Sequence, residues 1–245
     1  MTSPLGIRGY DYVEFYVGSA KMTAFWMAKA LGLQITGYSG PETGIRDRVS
    51  YYLTRHRLKF VVTSPVQPAT YDIYGWITKH GDGVKRWAVE VDNVEQAWKY
   101  ATKRGAVMVK RPERIENQHG YIEEGSIRLY DDTELVYINR DNYKHIFRPG
   151  FCEPLQKINL DHEDTGLLAV DHIVGNVREN EMGLWAEYFN NTMDFETFVD
   201  FGPGDIQTQY SSLLSKVVRT KDSKIRNPIN EPYEGLKKSQ IEEFI

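Results

Sequence analysis

One histidine stands out because the residues around it resemble a strand. His172 lies in the segment Val170–Val177, which is mostly apolar. Because residues two apart share a strand face, Val174 points the same way as His172. An imidazole on such a face could bind a metal ion through one ring nitrogen, while a carboxylate, carbonyl or water holds the other. The alternative is a hydrogen-bonded core histidine, which is the commoner case for a lone histidine.

The segment with His172 repeats an earlier stretch of the chain at an offset of 160 residues. Tyr10–Val17 corresponds to Val170–Val177, and the register holds beyond the strand. The matched pairs are Met22 with Met182, Phe25 with Trp185, Leu33 with Met193 and Ile35 with Phe195. Only the second copy carries the histidine. The repeat therefore indicates one functional half and one scaffolding half.

Apolar periodicity predicts an α+β fold built from βαβββ units. The first half contains two such units, which together can form a barrel-like sheet. A third begins at Leu167, with a helix from about Glu179 to Asn190. We predict an N-terminal domain over 1–150, a linker over 151–166 and one unit of a second domain over 167–245.

Composition excludes several classes of function. The 245 residues carry a net charge of -4, which gives no electrostatic reason to expect a nucleic-acid partner. No apolar run reaches the roughly 18 to 20 residues of a membrane span, and the first residues lack the pattern of a signal peptide. Cys152 is the single cysteine, so an internal disulfide is impossible. We expect a cytoplasmic protein.

Five short motifs occur in an order that resembles the 4-hydroxyphenylpyruvate dioxygenase family over essentially the whole chain. The combination of Pro-Ile-Asn-Glu-Pro with Lys-Ser-Gln-Ile at this spacing is the most specific part, whereas the Asp-His element alone is less so. The motifs are Pro4–Asp11, Asp171–Asn176, Tyr210–Leu213, Asn227–Pro232 and Lys238–Ile241.

The resemblance implies the vicinal-oxygen-chelate architecture of paired βαβββ units and one iron(II) held by two histidines and one glutamate. It implies that His172 is the first iron ligand and that Val174 packs against the substrate. It also implies that Ser215, Asn230 and Gln240 line the substrate pocket as neutral hydrogen-bonding groups. Judged without the resemblance, Ser215 is more simply a hydroxyl bonded within its sheet. Asn230 is then a turn residue between two prolines, and Gln240 is a solvated side chain.

The activity implied by the resemblance is conversion of 4-hydroxyphenylpyruvate and O2 to homogentisate and CO2, in tyrosine and phenylalanine catabolism. Two alternatives stay open. One is a hydroxymandelate synthase, which hydroxylates the side chain of the same 2-oxo acid, and the other is a non-catalytic scaffold with the same fold. The family also implies a homodimer or homotetramer formed through the N-terminal half.

The chain departs from the family pattern in its ligand set. Tyr12, Arg86 and Val136 take the places of the two histidines and the glutamate in the first half, and none is a plausible iron(II) ligand. The second histidine and the glutamate are expected beyond Ile245, so the chain reads as C-terminally incomplete. We expect the 245 residues alone to retain no iron and to turn over no substrate. The apolar face of the third unit is expected to be partly disordered or to pair with another copy.

Overall fold

The structure is a computed structural model that describes residues 4–68, 70–156, 165–201, 212–233 and 241. It confirms the α+β class. The strands are β1 (Ile7–Tyr16), β2 (Gln34–Ser39), β3 (Arg48–Arg55), β4 (Leu58–Pro65), β5 (Gly83–Val91), β6 (Met108–Asn117), β7 (Gly120–Leu129), β8 (Thr133–Asn139), β9 (Gly175–Asn176), β10 (Glu196–Phe201), β11 (Ser212–Arg219) and β12 (Arg226–Tyr233). The helices are α1 (Ala20–Leu31), α2 (Tyr71–His80), α3 (Val94–Thr102) and α4 (Met182–Met193). No helix in the described part is long and apolar enough to cross a membrane.

The first sheet consists of two matching halves, as the repeat predicts. Its strand order is β2-β3-β4-β1-β5-β8-β7-β6, with β1 and β5 antiparallel at the centre. Each half pairs its first strand in parallel with its last, β1 with β4 and β5 with β8. Strand β6 is continuous but has an irregular register with β7 near Pro112.

The concave face of this sheet is filled by the segment that follows β8. Phe147 stacks on Tyr52, with the ring centroids 4.6 Å apart, and meets the edge of Tyr12 at 5.1 Å. Arg148 donates a hydrogen bond of 2.9 Å to Glu124 on β7. Because the segment touches both halves, the sheet must curl around it.

Buried ion pairs line this concave face. Arg86 on β5 lies opposite Glu14 on β1 and Glu134 on β8, with N–O distances of 3.2 and 3.7 Å. Burial lowers the pKa of Arg86. The electrostatic effects of Glu14, Tyr16 and Glu134 outweigh burial and raise this pKa well above its ordinary value. Arg86, which the sequence analysis aligns with the second histidine of the family pattern, is therefore a permanently charged guanidinium between two carboxylates.

The second sheet has the order β10-β11-β12-β9 and completes a third unit with α4. The stretch Pro228–Pro232, interpreted from sequence as a turn, lies within β12, so that interpretation is wrong. β12 pairs with β11 without interruption, from Ser212 with Tyr233 to Arg219 with Arg226. Alternation along the strand turns both proline nitrogens away from β11, toward the side where β9 is only two residues long.

Helix α4 packs the third unit onto the N-terminal half. Met182, Ala186 and Phe189 share one hydrophobic core with residues of α3, β5, β7 and β8. The matching helix in the first unit, α1, differs, because its Met22 and Phe25 are 68% and 43% exposed. The apolar helix face of the third unit is thus covered within the chain, while association of the segment after Leu167 with another copy stays a prediction.

Tyr130, in the turn between β7 and β8, reaches under the strand β9. Its backbone has the left-handed φ of 53°, and its ring contacts Trp185 at 4.9 Å. A Cβ atom on Gly175 would lie 2.1 Å from both the Cζ and the hydroxyl oxygen of Tyr130. Residue 175 must therefore be glycine for the two halves to approach this closely.

Acid should weaken the fold through Glu124. Burial opposes ionisation, but Arg148 and Lys110 lower the pKa of Glu124 from 4.5 to about 2. Ionised Glu124 therefore stabilises the folded state by up to about 3 kcal/mol. This contribution is fully present above the unfolded-state pKa of Glu124 and is lost as the pH falls through its folded-state pKa. Unfolding free energies measured between pH 5 and pH 2 should fall less steeply for Glu124→Gln than for the wild type. Parallel curves for the two proteins would contradict this.

The contact at Gly175 predicts opposite effects for two alanine substitutions. Gly175→Ala should lower the unfolding free energy by about 1–3 kcal/mol, because the methyl group overlaps the ring of Tyr130. Gly183→Ala is the matched control: it lies in α4, a Cβ there meets nothing within 4 Å, and alanine is the better helix former by about 0.5–1 kcal/mol. Denaturant titrations measure both, and equal stabilities for Gly175→Ala and the wild type would refute the close approach.

Candidate metal-binding face

His172 lies just before β9, and the strand around it is shorter than predicted. Only Gly175–Asn176 is a strand, although Ile173 N donates to Arg226 O at 3.3 Å and Val177 N to Asn230 O at 2.8 Å. The ladder does not continue before Ile173 because the N–H of Arg226 donates instead to the hydroxyl of Tyr10, at 3.1 Å. The histidine consequently stands at the end of the ladder, with its side chain 48% exposed.

The two ring nitrogens of His172 have different surroundings. Nδ1 lies 2.7 Å from Oδ2 of Asp171, whose other oxygen is 3.4 Å from Arg226. The hydrogen bond from His172 lowers the pKa of Asp171, which keeps that carboxylate ionised. Nε2 has no hydrogen-bond partner among the described residues. A histidine held by a carboxylate at one nitrogen and open at the other has the arrangement of a metal ligand.

The sheet register brings the sequence-predicted pocket residues to the face that carries His172. Asn230 lies opposite Ser215 on one side and opposite Asn176 on the other. Directly paired residues project to the same face, and alternation places His172, Val174 and Asn176 together on β9 and the segment before it. Four predicted site residues, His172, Val174, Ser215 and Asn230, therefore share one face of the second sheet.

Burial varies across this face. Val174 is 45% exposed, Asn230 is half-buried and Ser215 is buried. The fifth predicted residue, Gln240, lies outside the described residues. Asn176 was missed by the sequence analysis, although alternation from His172 and Val174 would have found it.

The opposite face of the sheet fixes the strands in place. Asn227 is fully buried there and accepts a 2.6 Å hydrogen bond from the hydroxyl of Tyr130. Glu231 accepts a 3.0 Å bond from the backbone N–H of Met182 at the start of α4. Tyr130 lies outside the sequence motifs, and Asn227 lies within the motif Asn227–Pro232 but was given no role there. Their partners are about 100 and 50 residues away along the chain.

The described residues fit one ligand of a metal centre. No group of three or more histidine, cysteine, aspartate or glutamate side chains that could hold a metal ion occurs among them. The chemistry of His172 suits iron(II), which binds neutral imidazole. Its role as a ligand, and those of Val174, Ser215, Asn230 and Gln240 toward a substrate, remain predictions.

Comparison with known proteins gives a consistent set of sequence relatives. No protein-family model matches the chain. Proteins described as 4-hydroxyphenylpyruvate dioxygenase from Yarrowia lipolytica and Dictyostelium discoideum are 37% and 35% identical to it, over 97% and 98% of this chain. The relative from Xenopus tropicalis is 36% identical over 96% of the chain. The chain spans 62%, 66% and 61% of the lengths of these three relatives, slightly less than two thirds.

Solved structures confirm the fold. A mutant of 4-hydroxymandelate synthase from Streptomyces coelicolor superposes with a TM-score of 0.81 at 20% identity, over 98% of this chain and 66% of that one. A fusion of a xylose isomerase-like TIM barrel with 4-hydroxyphenylpyruvate dioxygenase gives 0.67 at 18% identity, over 95% of this chain and 33% of that one. These identities are too low to carry more than the vicinal-oxygen-chelate fold. The sequence relatives carry more, because this chain is 35–37% identical, over 96–98% of its length, to proteins described as 4-hydroxyphenylpyruvate dioxygenase.

Proposed function

We propose that the protein carrying this chain is an iron(II)-dependent dioxygenase. It converts 4-hydroxyphenylpyruvate and O2 to homogentisate and CO2 in the catabolism of tyrosine and phenylalanine. The observation that carries this proposal is the His172 imidazole, held at Nδ1 by Asp171 and without a partner at Nε2 among the described residues, on a face shared with Ser215 and Asn230. The names of the sequence relatives supply the substrate.

His172 would hold the iron through Nε2, and Asp171 would fix the orientation of the ring. When bound, iron(II) supplies a Lewis acid and a template that brings the 2-oxo acid and O2 together. The hydrogen bond to Asp171 keeps the Nδ1 proton in place, which leaves the Nε2 lone pair for the metal.

The substrate would lie across β12 and β11, beside the iron ligand. Asn230 and Ser215 are neutral hydrogen-bonding groups that can orient the phenol or the 2-oxo acid without adding charge near the metal. Val174 would form an apolar wall on the same face, and Gln240 would add a further amide. Closure of this face against water is needed because the oxidising chemistry must be protected from side reactions.

The two alternatives are less well supported. The likeness to 4-hydroxymandelate synthase rests on a fold shared at 20% identity, whereas the named dioxygenases are 35–37% identical. A non-catalytic scaffold has no need of a His172 ring held by Asp171 at Nδ1 and without a partner at Nε2 in the part of the chain that the structure describes. Product analysis separates the first alternative from our proposal, and iron binding separates the second.

We further propose that copies of the protein associate through the N-terminal half, as a homodimer or homotetramer. Helix α1 supports this with three exposed apolar side chains, Met22, Phe25 and Trp26, whose exposed fractions are 68%, 43% and 58%. Such a patch is typical of protein interfaces. A cytoplasmic location remains a prediction.

Iron binding and product formation test the proposal on the protein as its gene encodes it. The wild type should bind one Fe(II), consume O2 only with a 2-oxo acid present, and release homogentisate. His172→Ala should weaken Fe(II) binding by more than the roughly 10–100-fold that follows loss of an outer-sphere partner, because a direct ligand is removed. Anaerobic titration with Fe(II) and chromatography of the products make these measurements.

His119→Ala is the control, since this exposed histidine lies on the N-terminal half near His145. It should leave both iron affinity and turnover unchanged. Equal Fe(II) affinity in the wild type and His172→Ala would refute the metal role, and hydroxymandelate as the product would refute the assigned reaction.

A further inference from the structure

The strand next to His172 has a gap in its hydrogen-bond ladder. The parallel register pairs Ile229 with Gly175 and Asn230 with Asn176, so Pro228 lies opposite Val174. At that position the N–H of residue 228 would normally donate to the carbonyl of Ile173. Proline has no N–H, so β12 cannot satisfy this carbonyl through its backbone. A buried carbonyl without a partner is costly, and another donor is required.

The side chain of Asn227 supplies the missing donor. Its Nδ2 donates to the carbonyl oxygen of Ile173, one residue after His172. Asn227 is 0% exposed, so its amide is not shared with bulk water. The amide thus replaces the N–H that Pro228 lacks and ties the residue following His172 to β12.

Tyr130 of the N-terminal half holds that amide in position. Its hydroxyl donates to Oδ1 of Asn227 at 2.6 Å, which leaves Nδ2 pointing at Ile173. Burial raises the pKa of Tyr130 far above its ordinary value, against the opposing effect of the Asn227 hydrogen bond, so the hydroxyl stays a donor. The ring of Tyr130 lies against Gly175, two residues after Ile173.

We propose that Tyr130 and Asn227 are positioning residues for His172, acting through the Ile173 carbonyl. The N-terminal half then contributes to the metal site although it supplies no ligand. The role of His172 in this statement rests on the proposed function, but the hydrogen-bond relay from Tyr130 to Ile173 does not.

Two substitutions separate this role from general support of the interface. Tyr130→Phe removes one hydroxyl and keeps the ring that packs on Gly175. Tyr188→Phe is the matched control, because its hydroxyl spans the same interface but donates to the carbonyl of Arg128 at 2.9 Å, away from β9. A merely structural role would make the two variants behave alike.

The first readout is local and needs no metal. Tyr130→Phe should speed amide hydrogen exchange at Ile173 and Val177 by roughly tenfold, the effect of losing one buried hydrogen bond. The NMR resonances of the His172 ring, recorded at one fixed pH, should shift as well. Tyr188→Phe should leave the exchange rates of these amides and the resonances of this ring as in the wild type.

A rescue experiment tests the link to Pro228. Asn227→Leu should loosen the same two amides, and adding Pro228→Ala should restore their protection by returning a backbone N–H opposite the Ile173 carbonyl. If Asn227→Leu does not fold, recovery of folding in the double variant supports the relay, and the Tyr130→Phe comparison decides independently.

The second readout is the affinity of the gene-encoded protein for Fe(II) or Co(II), which should fall roughly 10–100-fold in Tyr130→Phe and stay constant in Tyr188→Phe. Unchanged exchange and ring resonances in Tyr130→Phe would overturn the positioning role. A wild type that binds neither metal, combined with faster exchange in Tyr130→Phe, would support the relay and overturn the proposed function instead.

Discussion

Every backbone polar group of β12 that faces β9 must find a partner, and this requirement joins the two halves of the molecule. β9 is too short to satisfy them all, and Pro228 removes one donor. Two tyrosines from the N-terminal half supply further hydrogen bonds at this edge. Tyr10 donates to the carbonyl of Arg226 at 2.6 Å and accepts from its N–H, while Tyr130 acts through Asn227. The segment that carries His172 is therefore positioned partly by a sheet to which it does not belong.

The same βαβββ unit serves different purposes along the chain because of a few side chains. In the first two units the concave face is closed by ion pairs, with Arg86 between Glu14 and Glu134 and with Asp11 bound by Lys59 and Arg140. In the third unit the corresponding face carries an imidazole and neutral polar groups. Permanent internal cations would repel a metal ion, whereas neutral donors can accept one.

Much of this architecture is predictable from the sequence. The internal repeat predicts the units and their order, since the apolar periodicity of strands and helices is a local property. The resemblance assigns His172, Val174, Ser215 and Asn230 to one site, and the register places Ser215, Asn230 and Asn176 side by side on one face. The metal and substrate roles of these residues stay predictions.

The features that could not be predicted from the sequence depend on contacts between residues far apart in the chain. The Pro228–Pro232 stretch has the composition of a turn, but pairing with β11 makes it a strand. No local pattern assigns a role to Tyr130 or Asn227, because their hydrogen bond forms only where β12 meets the N-terminal half. The short ladder at His172 likewise follows from the hydroxyl of Tyr10, which intercepts the N–H of Arg226. Anomalous diffraction at the iron edge, from crystals of the iron-loaded, gene-encoded protein, tests the central claim most directly. The account predicts an iron peak roughly 2 Å from Nε2 of His172, with Nδ1 still bonded to Asp171, since metal–imidazole bonds have about this length. An iron peak remote from this imidazole would contradict it.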